Sequence, residues 1–195
     1  ITLMNCPKLT DASIESIYEA IKAWGKRRNT KSLTIKSVVL RDNHLLTAQS
    51  LVFLSSAVPN LEILDIKGCA NIDINKGLRE MESLTSLREL TIGPSDFVIN
   101  ANELVESLLY HVARLTLLHL VDIHTLDDEH VAELLNGCLL LEDLHVEGIE
   151  VGVHTIEALC SNVPNMKRVA IINSKAILDA DIRCMTSVCL HLESL

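Results

Sequence analysis

The sequence predicts an α/β solenoid in which short parallel β-strands line a concave face and helices form the convex face. Three observations predict it: an apolar pattern recurs at near-constant spacing, helix-like segments separate the recurrences, and the core must be aliphatic. Of the 195 residues, 48% are hydrophobic but only 3% are aromatic. Stacked repeats suit such a core, because each repeat buries its apolar side against its neighbours.

The strands are predicted from the pattern L-x-x-L-x-L, which residues 61–66, 87–92, 115–120 and 141–146 match and residues 166–171 match with Met and Val substitutions. Partial matches occur at 1–3, 33–35 and 192–195. The middle apolar residue of each match serves as a marker, at positions 1, 33, 64, 90, 118, 144, 169 and 195. The last five steps span 25 to 28 residues, whereas the first two span 32 and 31 and predict loop insertions. This period is typical of leucine-rich repeats, which have about 20–29 residues each.

The segments between the markers are predicted to be helices. Residues 13–21 carry apolar side chains at helical spacing, and so do residues 176–188. Asn100 or Asn102 can cap a helix over residues 103–112. Thr125 and Asp128 form a candidate capping box for the helix that Asn136 and Gly137 end.

We therefore expect a single leucine-rich repeat domain over residues 1–195 with about seven repeats. The chain opens with Ile1 rather than Met, and it stops inside the strand pattern at residues 192–195 without a polar cap. Terminal repeats of a solenoid normally carry a polar outer face. The sequence is therefore expected to be a fragment, truncated at both ends.

Composition excludes several function classes. The net charge of −9 argues against a nucleic-acid duplex as the partner, because Lys and Arg dominate phosphate binding. No apolar run approaches the roughly 18 residues of a membrane-spanning helix. The six cysteines are dispersed in apolar surroundings, which predicts buried free thiols, and no Asn-x-Ser/Thr acceptor occurs. These features favour an intracellular protein, cytoplasmic and/or nuclear.

Short motifs refine the repeat type. Residues 6–11 read CPKLTD, residues 58–69 read VPNLEILDIKGC, residues 137–144 read GCLLLEDL, and residues 189–195 read CLHLESL. The chain resembles the cysteine-containing class of leucine-rich repeats, found in F-box/leucine-rich-repeat proteins and in the antagonist-of-mitotic-exit family. In F-box members the repeats choose the substrate, while the F-box docks to the Skp–cullin ubiquitin ligase core.

The chain departs from this class at two points. The position after the strand is cysteine at Cys6 and Cys69 only. Elsewhere we assign that position to Val38, Ser95, Ile123, Ile149 and Ser174. No F-box is present, so a Skp adaptor is expected to bind only through a domain outside this sequence.

The candidate site follows from strand geometry, because alternate side chains of a strand point to opposite faces of the sheet. The residues flanking the core leucines are predicted to form a concave, partner-binding face. That set is Ile63, Asp65, Lys67, Glu89, Thr91, Leu117, His119, Val121, Asp143, His145, Glu147 and Arg168. Leu117, Val121 and Ile63 would supply apolar anchors, with His119 and His145 adjacent on neighbouring strands. Ordinary scatter on a solvated face is the alternative.

No catalytic motif is present: the chain has no Gly-rich phosphate loop, no G-x-S-x-G and no H-E-x-x-H. We expect no enzyme activity, no cofactor and no metal, although two histidines beside two carboxylates could in principle bind zinc. The favoured function is a substrate or partner receptor of an F-box-type ubiquitin ligase or related regulator. The alternatives are a non-catalytic scaffold subunit and the sensor domain of an immune-type receptor.

Overall fold

The computed structural model describes residues 1–28, 35–163 and 165–194. Within them, seven helices alternate with six strands. The helices are α1 (Asp11–Arg28), α2 (Ala48–Ala57), α3 (Ile74–Arg79), α4 (Ala101–Val112), α5 (Asp128–Gly137), α6 (Val153–Asn162) and α7 (Asp179–Val188). The strands are β1 (Ser37–Val39), β2 (Ile63–Asp65), β3 (Glu89–Ile92), β4 (Leu117–Val121), β5 (Asp143–Glu147) and β6 (Arg168–Ile172).

All six strands pair in parallel, in chain order from β1 to β6. Each connection returns through one helix, so the helices form a second layer on one side of the sheet. Isolated bridges extend the sheet at both sides, Thr2 to Val39 and Arg168 to Ser194. This confirms the predicted α/β leucine-rich repeat solenoid. None of the described helices is long and apolar enough to cross a bilayer.

The core lies between the sheet and the helices. The markers Leu64, Leu90, Leu118 and Leu144 align across adjacent strands, and each is at most 1% exposed. They pack in one continuous aliphatic cluster with the apolar sides of the helices. A leucine in this column is therefore explained by packing alone, and replacing one with alanine would open a cavity.

The first strand differs from its prediction. Leu33 lies outside the described residues, as do Ser32 and Thr34, and the residue that pairs with Leu64 is Val38. The step from Val38 to Leu64 is then 26 residues, like the later ones. The extra length lies between the markers Ile1 and Val38, in the segment that contains the 18-residue helix α1. The L-x-L template favoured leucine, but a buried strand position accepts valine equally well.

The helix ends correct two smaller predictions. Asn100 caps α4 by accepting from the Glu103 amide, as one of the two alternatives predicted. The cap of α5 is Asp127 rather than Thr125, and its carboxylate accepts from the Glu129 and His130 amides. Helix α7 begins at Asp179, three residues after the predicted start.

A left-handed residue follows most strands. Asn5, Asp42, Gly68, Asp122, Gly148 and Asn173 all have positive φ and stand four residues after their markers. Asn, Asp and Gly are the residues that tolerate this conformation. The β3 repeat is the exception, because Pro94 occupies the position and a proline cannot adopt positive φ.

Two aspartates join one repeat to the next. Asp11, at the start of α1, accepts from the Thr47 amide at 2.9 Å and from the Thr47 and Ser50 hydroxyls beside α2. Asp128, at the start of α5, accepts from the Gly152, His154 and Thr155 amides at 2.7 to 3.0 Å at the start of α6. Each carboxylate thus satisfies amides that the neighbouring helix cannot pair internally.

Gly148→Ala is expected to lower the free energy of unfolding by about 1.5 kcal/mol. Gly148 has φ +69°, and an added Cβ would also collide with the Asp122 carboxylate. Gly152→Ala is the matched control, since an added Cβ there would lie 3.4 Å from its nearest neighbours. Urea unfolding followed by circular dichroism measures both. Equal losses in the two variants would contradict the assignment of strain to position 148.

Candidate functional site

The predicted site residues lie in three rows that cross the sheet on the side opposite the helices. The central row runs Asp65, Thr91, His119, His145. One flanking row runs Ile63, Glu89, Leu117, Asp143, Arg168. In the other flanking row, Val121 pairs with Glu147, and Lys67 follows β2 at the same level. We call these three rows the concave face.

Three members of the concave face are buried, which corrects the expectation that they are exposed. Asp65 is 5% exposed, Thr91 6% and Val121 2%. They therefore support the surface and do not form it. The remaining predicted residues are half-buried or, for Arg168, exposed.

Asp65 is buried because an arginine covers it. Arg41 Nε lies 2.6 Å from Asp65 Oδ2, and the Lys67 amide donates to Asp65 Oδ1 at 3.1 Å. The hydrogen bond to Asp65 raises the pKa of Arg41. Arg41 stands three residues after Val38, as Lys67 stands three after Leu64, so the two occupy equivalent positions in their repeats. The 26-residue period, counted back from Leu64, indicates Val38 as the marker and Arg41 three residues after it.

An ion pair between Lys67 and Glu147 spans the flanking row that contains Val121. Lys67 Nζ lies 3.5 Å from Glu147 Oε2, although β3 and β4 separate their strands. The side chains can meet because Gly93 stands between them with no side chain, and a Cβ there would press against Lys67 Cγ at 3.3 Å. Val121 lies beneath the pair, in register with Glu147.

Two histidines occupy the middle of the concave face. The His119 and His145 rings are 5.1 Å apart between centroids and tilted at 47°. His119 Nε2 lies 3.4 Å from Asp143 Oδ1, and His145 Nε2 lies 3.3 Å from Glu147 Oε2. Arg168 Nε donates to the other oxygen of Asp143 at 2.8 Å. The predicted adjacency of the histidines and carboxylates is therefore present.

The electrostatics follow from these contacts. Burial lowers the pKa of His119, an effect that Asp143 opposes. The hydrogen bond from His145 lowers the pKa of Glu147, and Lys67 adds to this. The contact with Asp143 raises the pKa of Arg168. Opposite charges are thus paired along the face from Arg168 to Lys67.

The arrangement offers polar and apolar contacts for binding. Within residues 1–28, 35–163 and 165–194, no group of three or more His, Cys, Asp or Glu side chains is placed to hold a metal ion. The Nε2 atoms of His119 and His145 contact separate carboxylates, those of Asp143 and Glu147.

Comparison with known proteins identifies the fold only. No protein-family model matches the chain, and no curated protein matches it. The chain is similar to a chain of the yeast Rad7 and Elc1 complex, with a TM-score of 0.61 and 17% sequence identity. The match covers 94% of this chain and 60% of that chain, so this chain spans less than two thirds of that neighbour's length.

Proposed function

We propose that the chain is a protein-recognition module that holds another protein on the concave face. The observation that carries the proposal is the row of lateral contacts joining Arg168, Asp143 and His119, and joining His145, Glu147 and Lys67. These contacts fix partly exposed polar side chains before any partner arrives. Binding to such a surface costs less side-chain entropy than binding to a mobile one.

The chemistry of the face suits a protein partner. Ile63 and Leu117 are half-buried apolar side chains in one flanking row, with Glu89 between them. Asp143, which pairs with Arg168, lies beside Leu117 in the same row. Protein interfaces commonly combine an apolar centre with a polar rim. Residues 1–195 would act as one leucine-rich repeat domain in this role.

For the cellular role, we propose a substrate or partner receptor of an F-box-type ubiquitin ligase, or a related regulator. The cysteine-containing repeat motifs support this, as does the similarity to a chain of the Rad7 and Elc1 complex. The contact with a Skp adaptor would lie in a domain outside this sequence. The protein would work inside the cell, in the cytoplasm or nucleus.

A structural scaffold is the second candidate. Charged side chains on the face already pair with one another: Arg41 with Asp65, and Lys67 with Glu147. This pairing favours the scaffold. A face with few unpaired charges steers partners weakly and suits a stable assembly more than rapid exchange.

Replacing both Leu117 and His119 with glutamate is expected to reduce partner capture at least tenfold while the fold is retained. The change places two carboxylates beside Glu89 and Asp143, where like charges repel and the apolar anchor is lost. Crosslinking of the tagged intact protein in cells, followed by quantitative mass spectrometry, measures the capture. Leu139→Glu is the matched control, since Leu139 is 60% exposed and lies outside the three rows. Unchanged capture by the double variant would place the site elsewhere.

The same experiment separates the cellular roles. A ligase receptor retains a Skp adaptor and a cullin in the double variant while it loses the partners held by the repeats. A scaffold recovers neither ligase component and shows partners that exchange slowly. If the unaltered protein recovers neither a Skp adaptor nor a cullin, the ligase role is wrong, whatever the concave face binds.

A further inference from the structure

Two cysteines meet on the convex side, on the outer surface of adjacent helices. Cys160 in α6 and Cys184 in α7 have their Sγ atoms 3.2 Å apart. Cys184 is exposed and Cys160 is half-buried, which corrects the prediction that the cysteines are buried thiols. Cys69, Cys138 and Cys189 do follow that prediction. The pair is therefore reachable from solvent, unlike the packed thiols of the core.

Helix α7 is held to the solenoid by few contacts. It buries only Met185, whereas α6 buries four side chains. Leu178, at its N-cap, provides no side-chain hydrogen bond to the first turn. A covalent link to α6 would restrict the motion of α7 relative to α6.

We propose that Cys160 and Cys184 form a reversible disulfide that joins α7 to α6 under oxidising conditions. The sulfur atoms are already in contact across the helix pair. Side-chain rotations that bring them about 1 Å closer reach the disulfide bond length of about 2.05 Å. The bond would connect residues separated by 24 positions. This inference is independent of the proposed function.

The chemistry is thiol–disulfide exchange with a small-molecule disulfide such as oxidised glutathione. The exposed Cys184 loses its proton, attacks one sulfur of oxidised glutathione and releases one reduced glutathione. Cys160 then loses its proton, attacks the Cys184 sulfur and releases the second glutathione. The protein loses two protons and two electrons, and the external disulfide takes them up to become two thiols.

The order of the two steps follows from the environments of the thiols. Burial raises the pKa of Cys160 to about 12, and its contact with Cys184 contributes to the increase. A thiol with so high a pKa reacts slowly with an external disulfide. Once Cys184 carries glutathione, its thiol no longer contributes to that shift, and Cys160 needs only to reach a sulfur atom already in contact.

The test equilibrates the folded protein with excess oxidised glutathione, alkylates the remaining thiols and maps the peptides by mass spectrometry. The unaltered protein is expected to yield a peptide pair linked through Cys160 and Cys184, with alkylation of Cys184 reduced at least tenfold. Reduction with dithiothreitol restores it. Hydrogen exchange in residues 179–188 is expected to slow at least tenfold on oxidation.

Three cysteine variants test the role of each thiol separately. Cys160→Ser is expected to trap glutathione on Cys184, because the second thiol is missing. Cys184→Ser is expected to leave Cys160 reduced. Cys6→Ser, which removes a thiol that donates to the Met4 carbonyl, is expected to behave like the unaltered protein. Free Cys160 and Cys184 after equilibration, or a bond from Cys184 to Cys189, would overturn the proposal.

Discussion

Replacing Asn43 with leucine is expected to lower the free energy of unfolding by about 4 kcal/mol. Asn43 is fully buried, and its amide nitrogen lies 2.8 to 3.1 Å from the carbonyl oxygens of Leu3, Leu40 and Arg41, among which it shares its two hydrogens. Its side-chain oxygen accepts from the Cys6 amide at 2.9 Å. Leucine has a similar volume but removes the partner of the Leu3 carbonyl and of the Cys6 amide, and each buried orphan costs about 1–3 kcal/mol.

Urea unfolding measures the loss, and hydrogen exchange at the Cys6 amide locates it. Asn60→Leu is the matched control, because Asn60 is exposed and the same change should cost less than about 0.5 kcal/mol. Asn43→Asp keeps the side-chain size but changes the hydrogen bonding, since a carboxylate can accept from Cys6 but cannot donate to the Leu3 carbonyl. A stable Asn43→Asp variant would contradict the assigned role.

Replacing Asp128 with alanine is expected to cost about 2 kcal/mol, the second-largest effect. Partial burial raises the pKa of Asp128, but hydrogen bonds from Thr155, Gly152 and His154 outweigh it and lower the pKa from 3.8 to about 2. The ionised carboxylate therefore stabilises the folded state. Alanine leaves the three amides at the start of α6 unpaired.

The pH dependence of this effect has a definite sign. Because the folded pKa is the lower one, the contribution of Asp128 is present above pH 4 and is lost as the pH falls from about 4 to about 2. The stability difference between the unaltered protein and Asp128→Asn should shrink across that window. Glu129→Ala, on an exposed neighbour in the same turn, should show a small difference. A difference between the unaltered protein and Asp128→Asn that is constant with pH would mean that the charge of Asp128 contributes nothing.

The position after the strand shows where motif and structure diverge. The motif assigned Val38 to this position. In the structure Val38 is itself the marker that pairs with Leu64, so the position five residues later is Asn43, as Cys69 is five residues after Leu64. Cys69 Sγ donates to the Leu40 carbonyl at 2.6 Å, and Asn43 donates to the Leu3 carbonyl at 2.8 Å. Both tie one repeat to the previous one, so asparagine can replace cysteine here.

The sequence by itself determined the repeat, its length and the core. Leu64, Leu90, Leu118 and Leu144 recur every 26 to 28 residues because burial against neighbouring repeats demands an apolar side chain at one fixed place in each unit. It also placed His119 beside His145, since equal spacing fixes which residues align. These are local, periodic properties that a linear pattern records.

Tertiary structure decided what depends on the neighbouring repeats. The choice of Val38 over Leu33 rests on pairing with β2, and both segments satisfy an apolar alternation. Lys67 reaches Glu147 across Gly93, a contact between residues 80 positions apart. Cys160 meets Cys184 because α7 packs beside α6. Side-chain contacts of this kind depend on three-dimensional reach, which periodicity does not encode.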